Sequence, residues 1–161
     1  MQRSLIIFKP DAVNRGLAGR MLARFEDKGL KIIAIKMEKL NPYKLKEHYA
    51  HHKEKDFYEE LIKFMTSIPS ILVVVEGKEV CAVVRKMIGS TLGREAEPGT
   101  IRGDFSVSNQ ANLIHASENV DVAEEEIERF FEKNEIHSYQ KMDFDWVYAK
   151  KEKGYLESKD K

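Results

Sequence analysis

Apolar and polar positions along the chain change spacing several times, from the alternation of strands to the one-sided recurrence of helices. The first apolar run, "SLIIF" (4–8), predicts a short strand ended by Pro10. Leu17, Met21, Leu22 and Phe25 then fall on one helical face, and Gly29 supplies the stop. "KIIAIKMEKL" (31–40) alternates as a strand does. Leu45, Tyr49 and His52 share a helical face, and so do Phe57, Leu61, Phe64 and Met65. "SILVVVEG" (70–77) is apolar without a break, the pattern of a central strand. Val80, Val83, Val84, Met87 and Ile88 predict the helix that follows it.

From Gly89 to Gln110 the periodicity fades, and Gly89, Gly93, Pro98, Gly99 and Gly103 mark a long loop, a feature that compact domains keep mainly for function. A short strand, "NLIHAS", and a helix over 121–131 come next. Residues 132–149 read as an irregular closing segment in which Phe144, Trp146 and Tyr148 alternate. The order β-α-β-α-α-β-α-β-α predicts an α+β, ferredoxin-like sandwich: a four-stranded antiparallel sheet of the split βαβ kind, covered by helices. Residues 1–149 form a single domain in this reading, and residues 150–161 a solvated C-terminal tail.

Composition narrows the function. Lys+Arg and Asp+Glu number 27 each, so no net field points to nucleic acid or to an anionic membrane, and an anion would have to bind at a local cluster. Hydrophobic residues make up 42% and charged residues 34%, the balance of a globular protein. Cys81 is the single cysteine, so no internal disulfide forms, and it reads as a small buried hydrophobe in a reducing compartment. The apolar run at the N-terminus is too short for a signal peptide and no stretch approaches a membrane span, so the expected location is cytoplasmic.

The chemistry gathers around "NLIHASEN" (112–119). His115 ends a short apolar run, which fits either a half-buried histidine or a nucleophile. In the next helix, Ala123, Ile127, Phe130 and Phe131 define the apolar face. Glu126 falls on that same side, while Glu124, Glu125 and Glu128 do not. A carboxylate turned toward the core needs a partner, and His115 is the nearest polar group before the helix. A Glu–His pair would fix the ring's tautomer, and a frayed, partly exposed glutamate is the alternative. In "GTIRGDFS" (99–106), Arg102 stands between two glycines that would let backbone approach a bulky anion, and its planar fork suits phosphate. Arg85 and Lys9 add two further cations, although surface ion pairing would account for each one alone. No Walker or Gly-x-Gly-x-x-Gly run occurs. In "HYAHHKEKD" (48–56), His48 and His52 have metal-ligand spacing but lack evident third and fourth ligands. Tyr49 and His52 could instead hydrogen-bond phosphate oxygens.

"KPDAVNRG", "KEHYAHHK", "PGTIRGDF" and "NLIHASEN", with a glutamate following, occur in this order and spacing in the nucleoside diphosphate kinases, and over residues 3–149 the chain resembles that family. The resemblance implies a ping-pong reaction in which His115 takes the γ-phosphate of a nucleoside triphosphate, mainly ATP, and passes it to nucleoside diphosphates. By the same resemblance, Lys9, Tyr49, Arg85 and Arg102 would hold the transferring or neighbouring phosphates, with Thr91 and His52 as further phosphate contacts. Asn112 and Lys9 would meet the ribose hydroxyls. Phe57 would stack on the base beside Leu61, and Ser117 and Glu126 would steady His115. Mg²⁺ would arrive on the nucleotide phosphates and need few protein ligands. The family assembles as hexamers or tetramers, and a homohexamer is the expectation here. A non-catalytic module that binds nucleotide is the rival reading, against which the full set of Lys9, Arg85, Arg102, Asn112 and His115 speaks.

The chain also departs from the family pattern. His115-Ala116-Ser117-Glu118-Asn119 stands where His-Gly-Ser-Asp-Ser is common, and Asn109 stands where an apolar residue often packs the base. The proline frequent near Gly93 is missing. Shifts in affinity are expected from these changes, without loss of activity.

Overall fold

β1 (Gln2–Phe8) lies inside the sheet, pairing antiparallel with β3 (Ser70–Gly77) on one side and β4 (Ile114–Ala116) on the other. β2 (Lys31–Glu38) pairs antiparallel with β3, so the strand order is β2-β3-β1-β4. This computed structural model describes residues 1–157, with side chains to residue 153. It shows the four-stranded antiparallel α+β sandwich of ferredoxin-like type.

Side chains alternate along each strand, so β1 and β3 each feed two cores. Ile6, Phe8, Val73 and Val75 pack against Met21 and Phe25 of α2 (Ala18–Asp27) and against Val80 and Val84 of α5 (Val80–Ile88). Leu5, Ile7, Leu72 and Val74 face Leu45 of α3 (Pro42–His48), Ile62 and Met65 of α4 (Tyr58–Met65), and Ile127 and Phe130 of α7 (Val120–Phe130). With helices on both faces, β3 has no polar side to show, which explains its unbroken apolar run. β2 is one of the two edge strands, and its Ile35 and Met37 are 53% and 57% exposed. Cys81 is a free, buried thiol whose pKa is raised, chiefly by burial.

Several segments carry more structure than their spacing predicts. Pro10 does not merely end β1 but opens a one-turn helix, α1 (Pro10–Asn14), where its missing N–H costs nothing. The long loop contains a 3₁₀ turn (Gly93–Glu95) and a short helix, α6 (Ile101–Phe105), capped by the Thr100 hydroxyl accepting from Gly103 N at 3.0 Å. α3 stops at His48, and Ala50–His52 form a separate 3₁₀ turn, so Tyr49 and His52 meet by ring stacking across the junction instead of sharing one helix. The closing segment holds a 3₁₀ turn (Lys133–Glu135) and α8 (Phe144–Val147). Where a solvated tail is expected, Lys150–Glu157 form α9, with Lys78 paired to Glu152 at 2.8 Å. Residues 158–161 of that tail lie outside the described residues. Among the described residues, no helix is long and apolar enough to cross a membrane.

Candidate active site

β4 is three residues long, and its placement depends on distant partners. Ile114 and Ala116 are buried in the core under α2 and α5, so His115 projects from the other face, opposite Ile7 of β1. The residue before the strand, Leu113, has φ 71°, in the left-handed region that costs a branched side chain about 1–2 kcal/mol. Long-range hydrogen bonds hold this turn. Leu113 N donates to Asp11 Oδ2 (3.0 Å), and Lys9 N donates to Leu113 O (2.9 Å). Arg102 donates to Asn112 O (3.2 Å) and Ile114 O (2.6 Å), and its remaining terminal nitrogen donates to Gly89 O (3.0 Å).

Glu126 of α7 is buried beside His115. Its Oε1 lies 3.0 Å from His115 Nε2, and its Oε2 accepts from the Ser117 hydroxyl at 2.7 Å. Ser117 is held in turn by Leu5 N, which donates to Oγ at 3.0 Å. Burial is the largest influence on the Glu126 carboxyl and pushes it up. The hydrogen bond and charge of His115, the Ser117 hydroxyl and Arg129 outweigh burial, leaving the pKa below the usual glutamate value. The carboxylate is therefore ionised at neutral pH, with His115 Nε2 as its hydrogen-bond donor.

These groups form the floor of a cleft of about 600 Å³. Lys9, at the end of β1, is buried, and its ammonium donates to Asn112 Oδ1 at 2.6 Å. Burial and then the Arg102 guanidinium lower its pKa to about 8, against a smaller upward pull from Asp11. Arg102 is buried too, and burial, followed by Arg85, brings it down to about 10. Asn112 uses both amide hydrogens on Thr91 O (3.0 Å) and Asn109 O (2.8 Å), so its Oδ1 is what it offers the cleft. The Tyr49 hydroxyl is buried without a hydrogen-bond partner among the described residues, and burial, then the Glu126 charge, raises its pKa. Arg85 and Thr91 are exposed at the rim, and His52 lies edge-on to Phe57 at 5.4 Å.

Of the residues to which the family resemblance gives a role, all but Ser117 line this cleft: Lys9, Tyr49, His52, Phe57, Leu61, Arg85, Thr91, Arg102, Asn112, His115 and Glu126. Ser117 lies behind, on Glu126. One expectation needs correction. Gly103 does not open room for an anion, because a Cβ there would strike the Glu97 carbonyl, so this glycine lets the loop close on its own backbone. Asp11 escaped notice because a carboxylate beside a lysine reads as a local ion pair, whereas its contact to Leu113 spans the sequence. His51 also lines the cleft, and His48, which the spacing offered only as a metal-ligand candidate with His52, is buried on α3 and packs against His115.

Two of the departures acquire a local explanation. Asn119 caps α7, its Oδ1 accepting from Val122 N at 3.0 Å. Ala116 lies in β4 and is absent from the residues with positive φ, so a Cβ is accommodated. His48, His115 and Glu126 have ligand-type atoms within 4.8 Å of one another. Two imidazoles and one buried carboxylate are a poor match for Mg²⁺, which prefers an all-oxygen shell.

Comparison with known proteins identifies the family. The sequence profile described as nucleoside diphosphate kinase matches residues 2–136. The nucleoside diphosphate kinase of Methanothermobacter thermautotrophicus is 48% identical over 148 residues, covering 92% of this chain and 99% of that protein. That of Methanocaldococcus jannaschii is 52% identical over 135 residues, 84% of this chain and 96% of its own. Among solved structures, a halophilic nucleoside diphosphate kinase from Halobacterium salinarum in complex with CDP superposes with a TM-score of 0.90. It is 39% identical and covers 92% of this chain and 99% of its own. The chain belongs to the nucleoside diphosphate kinase family, phosphotransferases that move the γ-phosphate of a nucleoside triphosphate to a nucleoside diphosphate through a phosphohistidine.

Proposed function

We propose that His115 is the phosphate carrier of this kinase and that Nδ1 is its nucleophilic atom. The observation behind this reading is the 3.0 Å contact of Nε2 with Glu126, which leaves Nδ1 as the nitrogen free to face the cleft. The Nδ1 lone pair forms a bond to the γ-phosphorus as the bond from phosphorus to the bridging oxygen breaks. The electron pair leaves on the nucleoside diphosphate. Nε2 keeps its proton, and the positive charge the ring gains is met by Glu126. In the second half, a terminal oxygen of another nucleoside diphosphate attacks the phosphorus and returns the pair to Nδ1.

The remaining residues position the phosphates and neutralise their charge, which is most of what phosphoryl transfer requires. Lys9, Arg85 and Arg102 supply the cations. Each terminal nitrogen of Arg102 retains one N–H beyond those donated to carbonyls. Tyr49, His52 and Thr91 offer further phosphate contacts. Asn112 Oδ1 and Lys9 meet the ribose, and Phe57 stacks on the base with Leu61 beneath. The CDP bound by the Halobacterium relative supports a nucleotide in this cleft.

Mg²⁺ carried on the phosphates fits the donor set. Of the carboxylates lining the cleft, Glu126 is engaged by His115 and Ser117, while Glu118 is exposed at the mouth and would be the one available to hydrated Mg²⁺. When bound, Mg²⁺ withdraws charge from the phosphate oxygens. We also read the protein as a cytoplasmic homo-oligomer, a hexamer in preference to a tetramer. The exposed Ile35 and Met37 on the edge strand support an assembled state. A monomeric mass by light scattering would remove that part of the reading.

Incubation with γ-labelled ATP tests the chemistry. An acid-labile, base-stable label on His115 is expected, with label and transfer both lost in His115→Ala. Transfer that survives this substitution rules out His115 as the carrier.

A further inference from the structure

His48 closes α3 with its side chain only 1% exposed, packed edge-on against three rings. Its centroid lies 4.6 Å from that of His115, 4.5 Å from Tyr49 and 5.2 Å from Phe130, at interplanar angles of 76°, 71° and 75°. Neither ring nitrogen has a hydrogen-bond partner among the described residues. A leucine or phenylalanine would fill this slot without burying two unsatisfied polar atoms, so packing alone does not account for an imidazole.

The nearest polar atom is informative. His48 Nδ1 stands 3.6 Å from Glu126 Oε1, the same oxygen that lies 3.0 Å from His115 Nε2. That separation is slightly beyond hydrogen-bonding range, and a carboxylate oxygen can accept from two donors. Charged and titratable groups face His48 from every side: His115 on β4, Glu126 and Arg129 on α7, Tyr49 and His51 just beyond α3, and Lys9 at the end of β1. Burial, then the neighbouring His115, Arg129, His51 and Lys9, drives its pKa down to about 2, so the ring is neutral throughout the working range and carries a single N–H. A neutral imidazole facing a carboxylate places that N–H on the nitrogen nearer to it, here Nδ1.

We propose that His48 is a positioning residue for the phosphoryl transfer, whose Nδ1–H closes on Glu126 Oε1 as positive charge builds on His115. The inference rests on His115 being the phosphate carrier. His48 neither gives up nor takes a proton. It secures Glu126 from a third side, complementing Ser117 on Oε2 and His115 on Oε1, so the carboxylate keeps its place while the ring in front of it gains and loses the phosphoryl group.

The test is single-turnover phosphorylation of the full-length protein by ATP in three variants. His48→Asn keeps an amide N–H near the place of Nδ1, His48→Gln moves it toward the place of Nε2, and His48→Leu removes it. His48→Leu should slow phosphorylation by roughly tenfold, the scale of a hydrogen bond to a charged group, with the KM for ATP little changed. The acid limb of its rate profile should move to higher pH, since Glu126 loses a donor that favours its ionised form. His48→Asn should recover most of the rate and His48→Gln should not. A wild-type rate in His48→Leu overturns the proposal. If that variant does not fold, equal rates in His48→Asn and His48→Gln overturn it. Label on a residue other than His115 in the wild-type protein defeats the underlying reading. Label on His115 at a rate indifferent to residue 48 defeats this inference alone.

Discussion

At the floor of the cleft, Lys9, Arg102, Asn112 and Glu126 are all buried, and each is bonded to residues far along the chain or to neighbours of His115. At the mouth, Phe57 is 44% exposed, and Arg85, Thr91 and Glu118 are exposed as well. In the proposed function the floor surrounds the reacting nitrogen of His115, where a small displacement of a charge or donor changes the rate. The same reading puts the base and outer phosphates at the mouth, where substrates differ, and a stacking ring with exposed side chains tolerates that variation. Burial is then concentrated where the proposed reaction repeats unchanged, and exposure where the ligand changes.

The largest expected break in this contrast is His115→Ala. It should abolish transfer while ADP binding, measured by calorimetry, persists, because the mouth and the floor cations remain. Next is Gly103→Ala, remote from any nucleotide. Its Cβ would meet the Glu97 carbonyl and displace α6 with Arg102, so a stability loss of about 1–3 kcal/mol in urea unfolding is expected, together with a fall in kcat. An unchanged kcat in the folded protein would show that the floor tolerates movement.

Lys9 allows activity and stability to be separated by pH. Its pKa is about 8 in the fold, against 10.5 for an ordinary lysine. Between those values the unfolded chain binds more protons, so this group's contribution to stability rises with pH. The charge proposed to hold phosphate is lost over the same range, so kcat/KM should fall as pH passes about 8. Urea unfolding of wild type and Lys9→Met across that window, alongside the kinetic profile, checks both signs. The smallest effect is expected at the mouth. Phe57→Ala should raise KM by about fivefold, the low end of base–aromatic stacking, and leave the single-turnover rate nearly unchanged.

Much of the fold was legible because its signals are periodic. Glu126 on the apolar side of α7 could be read from spacing alone, and β3 announced its central position through an unbroken apolar run. α6 could not be read that way, since a five-residue helix has too few turns to show a period, and the Thr100 cap is a weak cue amid glycines and prolines. α9 escaped for a different reason: its residues are predominantly polar, and the Lys78–Glu152 pair that ties it down is a tertiary contact. The candidate site was legible where a motif is contiguous, as in "TIRGDF" and "NLIHAS". It was hidden where a residue acts through space, as Asp11 does on Leu113 and His48 beside Glu126.

Sequence alone determined the fold class and the family resemblance and pointed to the candidate charged and nucleophilic residues, because periodicity and residue chemistry are local properties. Tertiary structure decided which nitrogen of His115 is bound by Glu126 and that Arg102 braces the backbone around Asn112. It also decided that Leu113 is held in a left-handed turn and that His48 sits dry against the histidine in front of it. Each of these depends on a distance between atoms brought together by the packing of helices on a sheet, which spacing along the chain does not encode.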